Sequence, residues 1–252
     1  MTGPIDALLD RRPGGGPVIR LFGAPRITAA GRELPLPGGG RRLLAYLAVR
    51  TEPVTRERVA GALWPGVDRR RAVGNLRSAL WRLRLADVDV VSCDRDRLAL
   101  RDGVVADVRV VEGWAARVTA RRPGPLDLAP PRAAEVLDLL PGWYDDWVLA
   151  ERDRVREAVL AALEALSRQL TARGRGADAV RAAMVAVAAD PLREGARRAL
   201  IEAQLAEGNW DEARRALLAY RAVLRAELGV DPHPSLVALV RDRRAAARRA
   251  AA

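Results

Sequence analysis

The chain has 252 residues, of which 50% are hydrophobic, and its composition excludes several classes of protein. All 43 basic residues are arginine, so a Walker A loop or a Schiff-base nucleophile, which both need lysine, cannot be built. One histidine and one cysteine are too few for a zinc finger or a multi-histidine metal site. We therefore expect a non-enzymatic chain of about two domains, with no metal and no other cofactor.

Apolar runs and cysteine use indicate the compartment. Every long apolar run is broken by arginine or aspartate before the roughly 20 residues that a membrane span needs. Asp6 and Asp10 surround the first apolar patch, unlike the basic and then apolar order of a signal peptide. Cys93 is the only cysteine and cannot form an intramolecular disulfide, which fits a reducing compartment. We expect a cytoplasmic protein that does not bind membranes.

The net charge of +11 is unevenly distributed along the chain. Residues 1–120 contain 21 arginines and 13 acidic residues, a net charge of +8, whereas residues 121–252 contain 22 and 19, a net charge of +3. The segment Gly39–Arg84 alone contains 11 arginines and only 3 acidic residues. A general preference for arginine would affect both halves equally. The local excess therefore favours a phosphate-binding surface in the first half.

The pattern of the first half predicts a winged helix-turn-helix over residues 18–106, preceded by a flexible lead at residues 1–17. Short β-prone segments come first, then three helices, then two more strands. The β-prone segments are Val18–Phe22, Arg26–Thr28 and Glu33–Leu36; the helices are Arg41–Arg50, Thr55–Trp64 and Arg69–Leu85; the last strands are Val88–Ser92 and Leu98–Arg101. Thr55 is a good N-cap, and Val54 and Val59 occupy the positions of a hydrophobic staple.

The third helix carries the candidate binding site. Its apolar stripe consists of Ala72, Val73, Leu76, Leu80 and Leu83. The remaining faces carry arginine and asparagine, which can make bidentate contacts with guanine and adenine, and a tryptophan that would be exposed. The predicted DNA-binding residues are Arg71, Asn75, Arg77, Ser78, Trp81 and Arg82 on this helix, and Arg95 and Arg97 at the hairpin tip. An ordinary solvated helix face is the alternative interpretation.

The second half predicts an all-α domain at residues 107–240, followed by a basic tail at residues 241–252. After a proline-rich break at residues 123–131, helical spacing continues almost to the end. The predicted helices are Trp147–Arg173, Ala177–Ala189, Leu192–Ala206, Trp210–Leu228 and Ser235–Ala247. The pattern Gly174-x₄-Ala179 recurs as Gly208-x₄-Ala213, an offset of 34 residues that matches the tetratricopeptide period. Stacked helix pairs of this kind bind proteins, or else brace the first domain or a dimer.

Several motifs resemble one known family over about residues 18–240. RRLLAYLAV (Arg41–Val49), TRERVAGALWP (Thr55–Pro65) and NLRSALWRLR (Asn75–Arg84) are similar to the OmpR-type winged helix of the actinomycete antibiotic regulatory proteins. LLPGWYDDWVLAERDRV (Leu139–Val155), DPLREGARRALIEAQLAEG (Asp190–Gly208) and AYRAVLRAELGVDP (Ala219–Pro232) resemble the bacterial transcriptional activation domain that follows it. The family usually closes the wing with a Gly-aromatic pair, where this chain has Asp96-Arg97.

The resemblance implies a mainly α protein that activates transcription of an antibiotic or other secondary-metabolite gene cluster. It implies that the third helix reads DNA at direct repeats near a promoter. It also implies a homodimer or cooperative oligomer on DNA, and recruitment of RNA polymerase. The unusual wing and the exposed Trp81 leave a second interpretation open, a tetratricopeptide-like adaptor whose winged helix no longer reads DNA.

Overall fold

The computed structural model describes residues 3–10, 16–36 and 38–241, and it is mainly helical with two small sheets in the first half. The strands are β1 (Val18–Arg20), β2 (Arg26–Ala29), β3 (Arg32–Leu34), β4 (Val54–Thr55), β5 (Val91–Asp94), β6 (Arg97–Leu100) and β7 (Val105–Ala106). The helices of the first half are α1 (Pro4–Asp10), α2 (Gly38–Ala48), α3 (Arg56–Leu63) and α4 (Arg69–Leu85). Those that follow are α5 (Asp107–Thr119), α6 (Ala133–Val136), α7 (Asp146–Ala172), α8 (Gly176–Ala189), α9 (Glu194–Ala206), α10 (Trp210–Leu228) and α11 over residues 234–241.

The first sheet has the strand order β3-β2-β1-β7, antiparallel except for the parallel pair β1 and β7. Part of the predicted lead is not structureless, because α1 forms at Pro4–Asp10. Ile5 and Leu9 lie one turn apart on α1 and are buried in the main core, where α1 packs against α5. The burial of two large aliphatic side chains stabilises a helix that glycine-rich flanking sequence did not suggest.

The winged helix-turn-helix is confirmed, with α4 at the predicted bounds. Thr55 caps α3, since its hydroxyl accepts a hydrogen bond from the backbone N–H of Arg58 at 3.3 Å, and Val54 and Val59 are both buried. The second sheet, β4-β6-β5, forms the wing behind α4. Its turn is tighter than the predicted tip, because β5 and β6 pair as far as Asp94 and Arg97 and leave only two residues between them.

The helical half contains the predicted repeat. Gly174 and Gly208 both adopt positive φ, at 69° and 77°, and each follows the end of one helix and lies two residues before the next helix begins. Ala179 and Ala213 are both fully buried at the equivalent positions of α8 and α10. Asn209 is the N-cap residue of α10, but its side chain makes no cap hydrogen bond, and Glu212 pairs with Arg215. The predicted helix Ser235–Ala247 is present as far as residue 241, beyond which it lies outside the described residues.

The two halves share one hydrophobic core rather than being joined by an exposed linker. This core runs from Ile5 through the winged helix to Ala203 of α9. Helix α5, which the sequence analysis did not predict, begins immediately after β7 and packs along α7. The domain boundary between residues 106 and 107 therefore passes through a packed region, and it stays a prediction.

The motif around Trp147 supplies much of this junction. The rings of Tyr46 on α2 and Trp147 on α7 meet edge to face, with centroids 5.1 Å apart. Arg50 lies 4.8 Å above the Tyr46 ring and pairs with Glu151 at 2.7 Å. Arg152 donates hydrogen bonds to three carbonyl groups of the loop that precedes α7. The segment that carries the family resemblance thus attaches the helical half to the winged helix.

Asp107 is a buried carboxylate at the same junction. It is the first residue of α5, and its oxygens accept hydrogen bonds from the backbone N–H groups of Leu21, Phe22 and Val108 at 2.7–3.1 Å. The carbonyl of Leu21 in turn accepts from the N–H of Leu140. Burial raises the pKa of Asp107 to about 6, although these N–H groups and the nearby Arg20 oppose the rise.

Candidate nucleic-acid interface

Helix α4 is held from one side by the helices before it. Asp68 caps its N-terminus by accepting a hydrogen bond from the N–H of Arg71 at 3.0 Å. Its main packing partners are α2 and α3. The predicted apolar stripe is buried except for Val73, which is half-buried, and it also includes Ala79. This packing leaves the opposite side of α4 facing solvent.

The predicted reading residues lie on that solvent side. The exposed ones on α4 are Arg71, Arg77, Ser78, Trp81 and Arg82. Trp81 has 61% of its surface exposed, which makes it one of the most exposed large apolar side chains of the described residues. Asn75 is only half-buried at the edge of this face, so it is less accessible than the other predicted residues.

The arginines of this face keep their charge available. Arg71, Arg77 and Arg82 form no ion pair with any described residue. By contrast, Arg69 at the start of the helix pairs with Glu57 at 3.0 Å, although both side chains are largely exposed. Exposed pairs of this type contribute little free energy and can exchange partners. The face therefore presents uncompensated positive charge to a ligand.

Two small residues shape the middle of the face. The hydroxyl of Ser78 donates to the carbonyl of Gly74 at 3.1 Å, so only its lone pairs remain for a ligand. A Cβ atom on Gly74 would meet nothing within 4 Å. None of the described residues therefore requires glycine at position 74, where it weakens the helix by roughly 1 kcal/mol relative to alanine.

The wing places its two predicted arginines differently. Arg95 lies in the two-residue turn with a positive φ of 48°, and it is exposed. Arg97 lies in β6 opposite Thr55, where its guanidinium donates to the carbonyl of Pro53 at 3.4 Å. The body of the wing lies close to α4, because Leu80 and Arg84 share a cleft of about 190 Å³ with Ser92 and Cys93. Arg95 is thus the wing residue free to contact a ligand.

The sequence analysis missed three exposed residues on the same face. Arg70 and Arg84 are exposed and form no ion pair with a described residue, and Leu85 is 71% exposed. At 100° per residue, Arg70 and Leu85 lie within about 40° of Gly74, so the helical spacing already places them on the solvent side. Together with Trp81, Leu85 makes the centre of the face apolar and its margins basic.

Comparison with known proteins shows which proteins the chain resembles. Residues 132–242 match the bacterial transcriptional activator domain family. Regulatory protein AfsR of Streptomyces coelicolor is 31% identical over 206 residues, which cover 78% of this chain and 21% of AfsR. The chain therefore contains a match to the bacterial transcriptional activator domain and resembles an actinomycete regulatory protein over most of its own length. It spans about a fifth of the length of AfsR, so the activities of that whole protein do not transfer to this chain directly.

A solved structure supports the fold of the regulator. Mycobacterium tuberculosis EmbR, determined in complex with a low-affinity phosphopeptide, superposes with a TM-score of 0.61 at 21% sequence identity. The match covers 90% of this chain and 64% of the EmbR chain. A winged helix-turn-helix followed by a helical activator domain is therefore the architecture of this chain. Among the described residues, no helix of the regulator combines the length and apolarity that crossing a bilayer requires.

Proposed function

We propose that this regulator activates transcription by binding a specific DNA sequence through α4. The observation that carries the proposal is the uncovered face of α4, on which Arg71, Arg77 and Arg82 have no partner among the described residues. In this mode α4 enters the major groove, Arg82 and Asn75 contact base edges, and Arg95 of the wing contacts a flanking phosphate. The activator domain at residues 132–242 then engages RNA polymerase.

The finer features of the function follow the family resemblance. We propose that the sites are direct repeats near promoters of a secondary-metabolite gene cluster, bound by a dimer or cooperative oligomer in the cytoplasm. AfsR of Streptomyces coelicolor is described only as a regulatory protein, and it supports regulation rather than a particular target. The packed junction supports a fixed placement of the activator domain relative to the bound DNA.

The test is genome-fragment capture with the purified full chain, followed by titration of recovered sites against scrambled duplex at two salt concentrations. Recovered fragments should contain paired direct repeats and bind far more tightly than the scrambled control. Arg82→Ala should weaken specific binding by about 1–3 kcal/mol and relax base preference at one position. Arg214→Ala is the matched control, because Arg214 is an equally exposed arginine on α10, away from α4.

One observation favours the adaptor as a second candidate. Trp81 and Leu85 stand one turn apart and form an exposed apolar pair, which a protein partner could cover. Under this alternative, DNA binding would be weak, independent of sequence and lost as salt rises. Equal losses of DNA affinity in Arg82→Ala and Arg214→Ala would then show that the arginines act only through net charge.

A further inference from the structure

A partly apolar groove crosses the helical half on a surface that DNA binding does not use. It has a volume of about 370 Å³ and is lined by α8, α9 and α10. Met184, Val187, Leu200 and Ala219 supply much of its apolar lining. Met184 is 56% exposed, and an exposed thioether on a flexible side chain is typical of surfaces that adapt to a bound segment.

Arg197 gives this groove a specific chemical character. Its side chain is half-buried, lies 5.6 Å above the Tyr220 ring, and has no carboxylate partner among the described residues. Its Nε atom is buried without a hydrogen-bond partner, and so is the Oε1 atom of Gln204, which lines the same groove. Burial lowers the pKa of Arg197, which reflects the cost of holding this charge away from water.

Two arginines close to Arg197 in the sequence have carboxylate partners, whereas Arg197 has none among the described residues. Arg193 pairs with both Glu157 and Glu164 at 2.7 and 2.5 Å. Arg198, which directly follows Arg197 in the chain, pairs with Glu194 at 3.3 Å. Carboxylates are therefore abundant near α9, yet none is directed to Arg197. A half-buried guanidinium with an unpartnered N–H is complementary to an anion that comes from outside the chain.

The apolar lining indicates which kind of anion this is. A free ion or a nucleic-acid backbone would not cover the apolar side chains of Met184 and Leu200. We propose that the groove binds a peptide segment of a partner protein, which presents a carboxylate to Arg197 and an apolar side chain to Met184 and Leu200. Gln204 accepts a hydrogen bond from the same segment. This interaction goes beyond DNA binding and does not depend on it.

The experiment selects 12-residue random peptides displayed on phage against the full chain and follows binding by NMR. Met1 and Met184 are the only methionines, so methyl-labelled methionine gives two signals, one of which reports the groove directly. We expect the enriched peptides to combine an acidic residue with apolar neighbours and to shift the Met184 signal. Enrichment of peptides without an acidic residue, no enrichment, or an unmoved Met184 signal would overturn the proposal.

Variants assign the binding to Arg197. Arg197→Gln should weaken the selected peptide roughly tenfold to a hundredfold, as expected for the loss of a hydrogen bond between charged groups. Changing the acidic residue of the peptide to its amide should reduce the affinity for the wild-type chain by the same factor. The amide peptide should bind the Arg197→Gln variant no more weakly than the acidic peptide does. Met184→Glu keeps the fold because the side chain is exposed, and it should also weaken binding through repulsion. Arg214→Gln is the control and should bind normally; equal binding by Arg197→Gln would refute the assignment.

Discussion

The buried carboxylate of Asp107 should make the stability of the regulator depend on pH in an unusual direction. Its pKa of about 6 in the fold exceeds the ordinary value of 3.8, because burial penalises the charged form. A raised pKa means that the folded state binds the proton more tightly than the unfolded state. The contribution of Asp107 is therefore fully present below about pH 3.8 and is lost as pH rises through 6.

The magnitude follows from the difference between the two pKa values. Each unit corresponds to about 1.4 kcal/mol, and linkage between pH 4.5 and pH 7 gives a change of about 2 kcal/mol in the free energy of unfolding. Asp127, Glu157 and Asp178 have lowered pKa values and act in the opposite sense at lower pH, so the wild-type curve alone cannot isolate Asp107. Asp107→Asn keeps the shape of the side chain, removes its titration and serves as the reference.

The assay is urea unfolding followed by circular dichroism at pH 4.5, 5.5 and 7, at constant ionic strength, for the wild type and Asp107→Asn. The free energy of unfolding of the wild type minus that of Asp107→Asn should fall by about 2 kcal/mol from pH 4.5 to pH 7. A difference that stays flat, or that rises with pH, would refute the reasoning. It would mean that the N–H groups of Leu21, Phe22 and Val108 stabilise the ionised carboxylate more than burial destabilises it.

Three further substitutions test the candidate site and the core. Gly74→Ala should raise the free energy of unfolding by roughly 0.5–1 kcal/mol in thermal melts, because the added Cβ has open space. The same substitution should weaken specific DNA binding if a phosphate approaches the helix at this position. Trp81→Ala should change stability by less than about 0.5 kcal/mol, since the ring is exposed, while specific DNA affinity falls in fluorescence titrations. Asp127→Asn should cost about 1–3 kcal/mol in urea unfolding, because the buried carboxylate of Asp127 accepts two hydrogen bonds from Arg117; unchanged stability would contradict that role.

The sequence predicted the position of α4 better than it predicted the junction, because the two depend on interactions of different range. Helix α4 could be placed because its signals are local: an apolar stripe at helical spacing and the solvent-facing side that remains. The repeat could be placed because Gly174 and Gly208 end helices through their own backbone conformation. Arg97 was placed in the tip but is the first residue of β6, one residue earlier than the predicted strand, because the register of β5 and β6 decides where the turn lies.

Helices α1 and α5 were missed because their stability comes from distant partners. The start signals around Ile5, Pro4 at the first helical position and Asp6 in the first turn, are too weak to define a seven-residue helix alone. The burial of Ile5 depends on α5, about a hundred residues further along the chain. In α5 the alternation of apolar and charged residues after Asp107 is compatible with either a strand or a helix until α7 is present to cover Val111 and Trp114. Tertiary packing determines the secondary structure of such segments, and a local stretch of sequence does not include the distant residues that provide the packing.

The junction also bears on how the two halves work together. Ala106 ends β7 and Asp107 begins α5, so no residue separates the winged helix from the helical half. Rotation of one half against the other would break the hydrogen bonds from Leu21 and Phe22 to Asp107 and separate Tyr46 from Trp147. A protein that only needed to keep a DNA-binding domain near an activating one could use a flexible linker, as multidomain proteins commonly do. The buried contacts instead fix the direction of α4 relative to α7, and a bound DNA would then determine where the activator domain stands.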